Sequence, residues 1–238
     1  MPYNKDDVDR WFDYSYLPSK RLVYVGSHDA EMASGEGESG TDCQMAEFFT
    51  KSIIHCDLVS SKPIIVHMNN LGGDWYSGMM MYDAIRASTS HVYGICWGAA
   101  MSMGSIIIQA CDSRIVSPHC TFMIHDGCEG LSGTCKSVEA WAKYATKMRK
   151  KMYEIYRSRM KAMKKRITLK KIEDMCSHDT IFTAEESVDQ GLADWVLESL
   201  EDPYKYYATD TQNVKWQSGM RLGKNITTEE EMNGNNDD

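Results

Sequence analysis

The sequence predicts an α/β fold built on a largely parallel β-sheet, and three observations carry that prediction. Short apolar runs such as "PIIVHM" (Pro63 to Met68) and "HVYGICW" (His91 to Trp97) recur along the chain. They alternate with segments whose apolar residues fall three and four positions apart, the spacing of one helix face. A glycine turn, "NNLGGD", sits where strand gives way to helix. Alternation of this kind implies βαβ units and a parallel-rich sheet covered on both faces, with sites at the strand ends. The 238 residues suffice for one main domain with extensions.

Residues 1 to 18 show no periodicity and are expected to form an N-terminal arm; "KRLVYVG" (Lys20 to Gly26) reads as the first strand. The Gly, Ser and acidic content of Ser27 to Asp42 marks an exposed loop. Asp42 is placed to cap a helix in which Met45, Phe48, Phe49 and Ile53 share a face. There follow strand "PIIVHM", the glycine turn, helix "YSGMMMYDAIRAS", strand "HVYGICW", a helix after Ser102, and strands "SRIVS" and "TFMIH". A long helix from Lys136, a shorter one at Leu169 to Cys176, a helix from Ala184 and strand "ADWVL" complete the domain, 19–199. Thr183 and Glu186 form a capping-box pattern, and Gly191 is a stop. The extension 200–238 loses the apolar rhythm, and its "TTEEEMNGNNDD" reads as a disordered acidic tail.

Charge and composition exclude several classes. A net charge of -8 argues against general nucleic-acid affinity, and no apolar run approaches the ~20 residues that cross a bilayer. The opening "MPYNKDDVDRWFDY" is acidic and aromatic where a secretory leader is basic and then apolar, so a cytoplasmic protein is expected. A hydrophobic fraction of 42% is ordinary, while the mean hydropathy of -0.45 is polar, which assigns the excess polarity to segments outside the core. The cysteines at 43, 56, 96, 111, 120, 128, 135 and 176 form no CxxC pair, so free thiols in a reducing compartment are expected, without metal or cofactor. Lys136 to Lys171 holds 14 of the 26 basic residues against Glu139 and Glu154. With Val138, Trp141, Ala145, Met148, Met152, Ile155, Met160 and Met163 at helical spacing, it reads as an amphipathic helix with a solvated basic face. The sharper alternative for that face is an acidic partner surface, including the acidic regions of a neighbouring copy.

The stretch "CWGAAMSMGSIIIQA" (Cys96 to Ala110) rings one hydroxyl, Ser102, with Gly98, Ala99, Ala100, Met101, Met103 and Gly104 ahead of the apolar run Ile106 to Ile108. Small residues admit a second backbone closely, and the apolar run predicts a buried helix with the serine in its first turn. A serine there is ordinarily an N-cap. Other strand ends supply a different reading: His125 closes "TFMIH", and Asp126, Asp174, Asp179 and Asp194 offer carboxylates. A serine nucleophile needs a base, the base needs a group to hold its tautomer, and the developing oxyanion needs N–H donors. Gly72 and Gly73, and the Met103 amide at a helix N-terminus, are candidate donors. Spacing alone does not choose among the carboxylates. GxSxG, GxxxxGK[ST] and HExxH are absent.

From about Arg21 to Leu197 these motifs resemble, in order, the proteolytic subunit of the caseinolytic (Clp) protease, ClpP, of the crotonase-like superfamily. "MNNLGGD" is similar to that family's INSPGG, "ICWGAAMSMGS" to ICxGxAASMGA, "SPHCTFMIHDG" to LPNSRVMIHQP, and "DTIFTAEESVDQGLAD" to DRFLSAxEAxEYGLVD. The resemblance implies a ββα-superhelix fold with a long handle helix, the handle covering about 127–166. It also implies a serine endopeptidase acting on unfolded polypeptides. Ser102 falls at the nucleophile, His125 at the base, Asp179 at the third triad position, and Gly73 and Met103 at the oxyanion donors. Gly72, Gly127, Cys128 and Glu129 fall at the substrate-binding positions, and "GLSG" (Gly130 to Gly133) where the family has the handle strand and turn. Expected partners are further copies of the chain, in a heptameric ring that pairs into a tetradecamer, and an AAA+ unfoldase of the ClpX, ClpA or ClpC kind.

The chain departs from the pattern at Met101, which replaces Ala, at Asn70-Leu71, which replaces Ser-Pro, and at Asp126-Gly127, which replaces Gln-Pro. Its acidic loop is longer, and its N-terminus lacks the apolar segment that lines the family's axial pore, which leaves unfoldase docking open. Divergence of this kind suits a viral or organellar relative. Three alternatives stand beside the main reading. They are a catalytically silent ring subunit, an acyl-CoA hydratase or isomerase on the same fold, and a Ser-Lys protease, for which no lysine is placed near Ser102.

Overall fold

The computed structural model describes residues 5–26, 40–128, 130–163 and 166–197. Within them the chain runs α1 (Lys5–Tyr14), β1 (Tyr16–Leu17), a 3-10 turn (Pro18–Lys20), β2 (Leu22–Val25), α2 (Cys43–Val59), β3 (Ile64–Asn70), α3 (Trp75–Ala87), β4 (Val92–Met101) and α4 (Met103–Ala110). It continues through β5 (Ser113–Val116), β6 (Thr121–Ile124), α5 (Cys135–Ala162), α6 (Leu169–Cys176), β7 (Thr180–Phe182), α7 (Ala184–Gln190) and β8 (Trp195–Val196). Residues 27–39 of the acidic loop and the C-terminal extension lie outside the described residues, so the expectations for them do too.

Short-range caps start most helices. The side chains of Asp42, Asp74, Thr134 and Thr168 accept from the N–H groups of Met45, Ser77, Ser137 and Lys171 respectively. Thr183 and Glu186 make the reciprocal capping box of α7, which Gly191 ends at φ 79°.

The sheet runs β1-β2-β3-β4-β5-β8; β2 to β5 and β8 are parallel, and β1 is antiparallel at the edge. β4 serves two neighbours along one edge. Tyr93 to Cys96 pair with β5, while Ala99 to Met101 pair with β6, which carries β7 antiparallel. Opposite β3, the register jumps from Met68↔Cys96 to Asn70↔Ala100, a bulge filled by the Asn69 side chain, whose Oδ1 accepts from the Ala99 N–H at 3.0 Å. The bulge re-aims the end of β4 toward β6, and with it Ser102.

One face of the sheet carries the main core, in which Val66, Val92 and Cys96 meet Phe49 and Ile53 of α2, Met81 of α3, Ile107 of α4 and Tyr156 of α5. The other face holds a smaller cluster around Ile65, Tyr93, Ile95 and Ile115, to which α1 contributes Trp11. The sheet is therefore layered unequally, where cover on both faces was expected, because α2 to α7 all crowd the first face. Buried Arg114 locks the far edge: its guanidinium donates to both oxygens of Asp194 (2.5 and 3.2 Å), to Gln109 Oε1 and to the carbonyls of Gly191 and Leu192.

Three expectations are corrected. The N-terminal arm contains a helix, α1, with no buried side chain; it is held at the sheet by an edge-on Trp11–Tyr24 contact, 6.3 Å between ring centroids. The long basic helix stops at Ala162, short of Arg166, and the separate helix expected at Leu169 to Cys176 begins at the Thr168 cap. Gly130 to Gly133 form no strand; Gly133 (φ 147°) instead leads directly into the Thr134 cap of α5. Among the described residues no helix is long and apolar enough to cross a membrane.

Candidate active site

Ser102 joins β4 to α4 with φ 48° and ψ -120°, a conformation costly for a side-chain-bearing residue. Its surroundings impose it: the Ser102 N–H donates to Met123 O of β6 (3.0 Å), and its carbonyl accepts from the Ser105 N–H and hydroxyl (3.0 and 2.6 Å). Gly104 permits this tight entry, since a Cβ there would lie 2.6 Å from Asn70 O. The hydroxyl makes no capping bond to its own helix. Ser102 Oγ is 2.7 Å from His125 Nε2, and His125 Nδ1 is 2.9 Å from Asp179 Oδ1.

The four carboxylates proposed from sequence separate cleanly. Asp179 meets His125 from the turn before β7, with its side chain 64% exposed. Asp194 is committed to Arg114, and Asp174 pairs with Lys170 at 2.9 Å. Asp126 faces α5, accepting from Tyr153 OH (2.6 Å) and lying 3.6 Å from Arg149 Nη1. Its charge is engaged there and makes no hydrogen bond with the imidazole.

The glycine turn after β3 is fixed by residues that carried no role in the sequence reading. Asn70, fully buried, accepts the Gly72 N–H at its Oδ1 (2.8 Å) and donates to Thr41 Oγ1 (2.9 Å). Thr41 straddles Gly73: its N–H donates to Gly72 O and its carbonyl accepts from the Asp74 N–H. Gly73's own N–H therefore points away from Thr41, and among the described residues neither it nor the Met103 N–H, in the first turn of α4, has an acceptor. Gly72, expected as a substrate contact, gives its N–H to Asn70 and packs closely against Ser102. At φ 117°, a Cβ on it would fall 2.6 Å from Ser102 Cβ. The one signal available beforehand was a polar Asn at the end of an apolar strand.

These groups open into a cleft of about 460 Å³ shared by Gly73, Ser102, Met103, His125, Gly127 and Cys128. Its far wall is apolar, from Trp75 and Ile106 to Trp141 and Met148 of α5. Gly127 takes φ 74° as the chain leaves His125, and Glu129 lies outside the described residues. The arrangement is chemically suited to removing a proton from a hydroxyl beside two unpaired amide donors.

The sequence matches the Clp protease family over residues 38–200, a stretch that contains every group just described. It is 29% identical over 198 residues to the ATP-dependent Clp protease proteolytic subunit of Deinococcus radiodurans, covering 82% of this chain and 89% of that one. It is 30% identical over 203 residues to the ATP-dependent Clp protease proteolytic subunit 3 of Parasynechococcus marenigrum, covering 83% and 94%. The subunit 3 of Synechococcus sp. (strain CC9605) is 29% identical with the same coverage. The match takes in β3 to β8, the bulge of β4 and the glycine turn alike: the chain belongs to the Clp protease family, as a divergent member.

Proposed function

We propose that this ClpP-like chain is a serine endopeptidase. Ser102 Oγ attacks the peptide carbonyl as His125 Nε2 takes its proton, and the imidazolium returns that proton to the leaving amine. Asp179, at Nδ1, holds the tautomer that leaves Nε2 free to accept, and stabilises the imidazolium. The oxyanion lies between the N–H groups of Gly73 and Met103, at a helix N-terminus whose dipole favours negative charge. Water then attacks the acyl-enzyme by the same proton path in reverse. The observation that carries the reading is the unbroken Ser102–His125–Asp179 chain at 2.7 and 2.9 Å, beside two amides that have no acceptor among the described residues.

The substrate is an extended, unfolded peptide lying along Gly127 and Cys128, held by backbone hydrogen bonds that tolerate many side chains. Low sequence selectivity calls for an enclosed chamber. Membership of the family implies ring assembly and association with Clp ATPases, and two surfaces favour packing against further copies. No side chain from Cys135 to Lys151 is buried, although Trp141 and Tyr144 are 52% and 39% exposed. The α2–α3 surface exposes Ile54, Leu58, Val59 and Met80. The proposed assembly is a heptameric ring, paired into a tetradecamer and fed by an AAA+ unfoldase.

Ser102→Ala tests the chemistry. Peptide hydrolysis falls by roughly 10⁶ and fluorophosphonate labelling vanishes, while native mass is unchanged. A Ser102→Ala protein that hydrolyses peptide at the wild-type rate removes the assignment.

A further inference from the structure

The carboxylate at Asp126 sits where three elements of the site meet. Its own backbone follows His125 at the end of β6. Its N–H donates to Cys176 O at 2.7 Å, at the end of α6 and three residues before Asp179. Its Oδ1 accepts from Tyr153 OH at 2.6 Å, and its Oδ2 lies 3.6 Å from Arg149 Nη1, one turn earlier on α5. Tyr153 is only 7% exposed and belongs to the turn at which α5 first becomes buried. Burial, reinforced by the bond to Asp126, pushes the Tyr153 phenol above its ordinary range, so it stays a donor.

On the α5 side of the site, the bonds of Asp126 tie the residue next to His125 to the helix. Gly127 follows with φ 74° and open space around its α-carbon, so the peptide after Asp126 is free to swing unless Asp126 is held. The Asp179 side chain is 64% exposed, and its backbone leads into the three-residue β7, whose Thr180 pairs with Ile124 beside His125. A displacement of ~1 Å between nucleophile and base is worth on the order of 10² in rate.

We propose that Asp126 is a positioning residue, which through Tyr153, Arg149 and the Cys176 carbonyl holds His125 and Asp179 in register and makes triad geometry depend on the seating of α5. This rests on the serine-peptidase reading above. Asp126 acts from behind the imidazole and takes no proton in the reaction.

The test uses the assembled full-length protein with a short fluorogenic peptide, native mass, and the rate of fluorophosphonate labelling. Asp126→Ala and Tyr153→Phe each lower kcat by roughly 10- to 100-fold, with KM within about twofold and labelling slowed in parallel. Asp126→Asn, which keeps the acceptor for Tyr153 and the backbone link, restores kcat to within about threefold. The Asp126→Ala/Tyr153→Phe double variant is no slower than the slower single one, because both cut the same link. The proposal is overturned if Asp126→Ala keeps wild-type kcat, if only KM changes, if the two effects multiply, or if kcat falls only as assembled mass is lost. If the wild-type protein is not labelled at Ser102, the peptidase reading fails and takes the proposal with it. Normal wild-type labelling with unaffected Asp126→Ala sinks the positioning role alone.

Discussion

Replacing Gly72 with alanine puts a methyl group behind Ser102, the proposed nucleophile. The added Cβ would sit 2.6 Å from Ser102 Cβ, 3.0 Å from Oγ and 3.3 Å from the Met103 nitrogen, where ordinary contact begins at 3.4 Å. Something must therefore yield by roughly 1 Å. Ser102 is held by its N–H bond to Met123 O, and the glycine turn by Asn70 and Thr41, so either the hydroxyl or the Gly73 amide moves. Both flank the position proposed for the scissile carbonyl, and a shift of ~1 Å costs on the order of 10² in kcat/KM, or about 2.7 kcal/mol of barrier. Placing a side chain at φ 117° adds about 1–3 kcal/mol of backbone strain to the folded state. Hydrolysis of a short peptide and the labelling rate of Ser102 measure the first effect, and urea unfolding the second. Leu71→Ala, at an exposed neighbouring position, is the control. A folded Gly72→Ala protein with kcat/KM within threefold of wild type would refute the packing argument.

Asp179→Asn keeps the size of the carboxyl but favours the wrong imidazole tautomer, so kcat falls on the order of 10³–10⁴ with native mass unchanged; a loss under tenfold contradicts the role. Arg114→Met strands Asp194 beside a buried edge and lowers unfolding free energy by about 3–5 kcal/mol in urea, and adding Asp194→Leu recovers part of it. A single-variant loss below 1 kcal/mol would show that the buried ion pair matters little. His67 is buried, accepts from Trp97 Nε1–H at its Nδ1, and is pushed down from 6.5 to about 4 by burial. Below pH 6.5 the unfolded chain takes up a proton that the folded chain refuses until about pH 4, so stability falls between those values by up to about 3 kcal/mol and is flat above them. Subtracting the curve of His67→Phe isolates that slope; parallel curves would show that burial does not shift this group.

Legibility varied along the chain with how far each element depends on distant partners. α7 was readable to the residue because Thr183 and Glu186 act on N–H groups three positions apart and Gly191 ends the helix. α1 was not, since its acidic run hides an apolar face of little more than Trp11, and the ring that supports it, Tyr24, lies beyond the helix. The C-terminal end of α5 was less legible, because helical periodicity persists past Ala162, where the helix stops. Ser102 was recognisable from its small neighbours. The contribution of Asn70 was not, because it becomes meaningful only once Thr41, 29 positions earlier, lies alongside.

Most strands and helices from β2 onward, the glycine turn and the three side-chain types of the candidate site were determined by the sequence alone, because each is written in spacings of two to four residues. Which carboxylate faces His125, which amides stay without acceptors and which way Asp126 turns were decided only in three dimensions. All four aspartates are chemically equivalent in the chain. They differ in the cation, phenol or imidazole that packing brings to them from as far as 80 positions away, as it brings Arg114 to Asp194. A hydrogen bond of under 3 Å is selected by tertiary contact and leaves no local pattern from which it could be read.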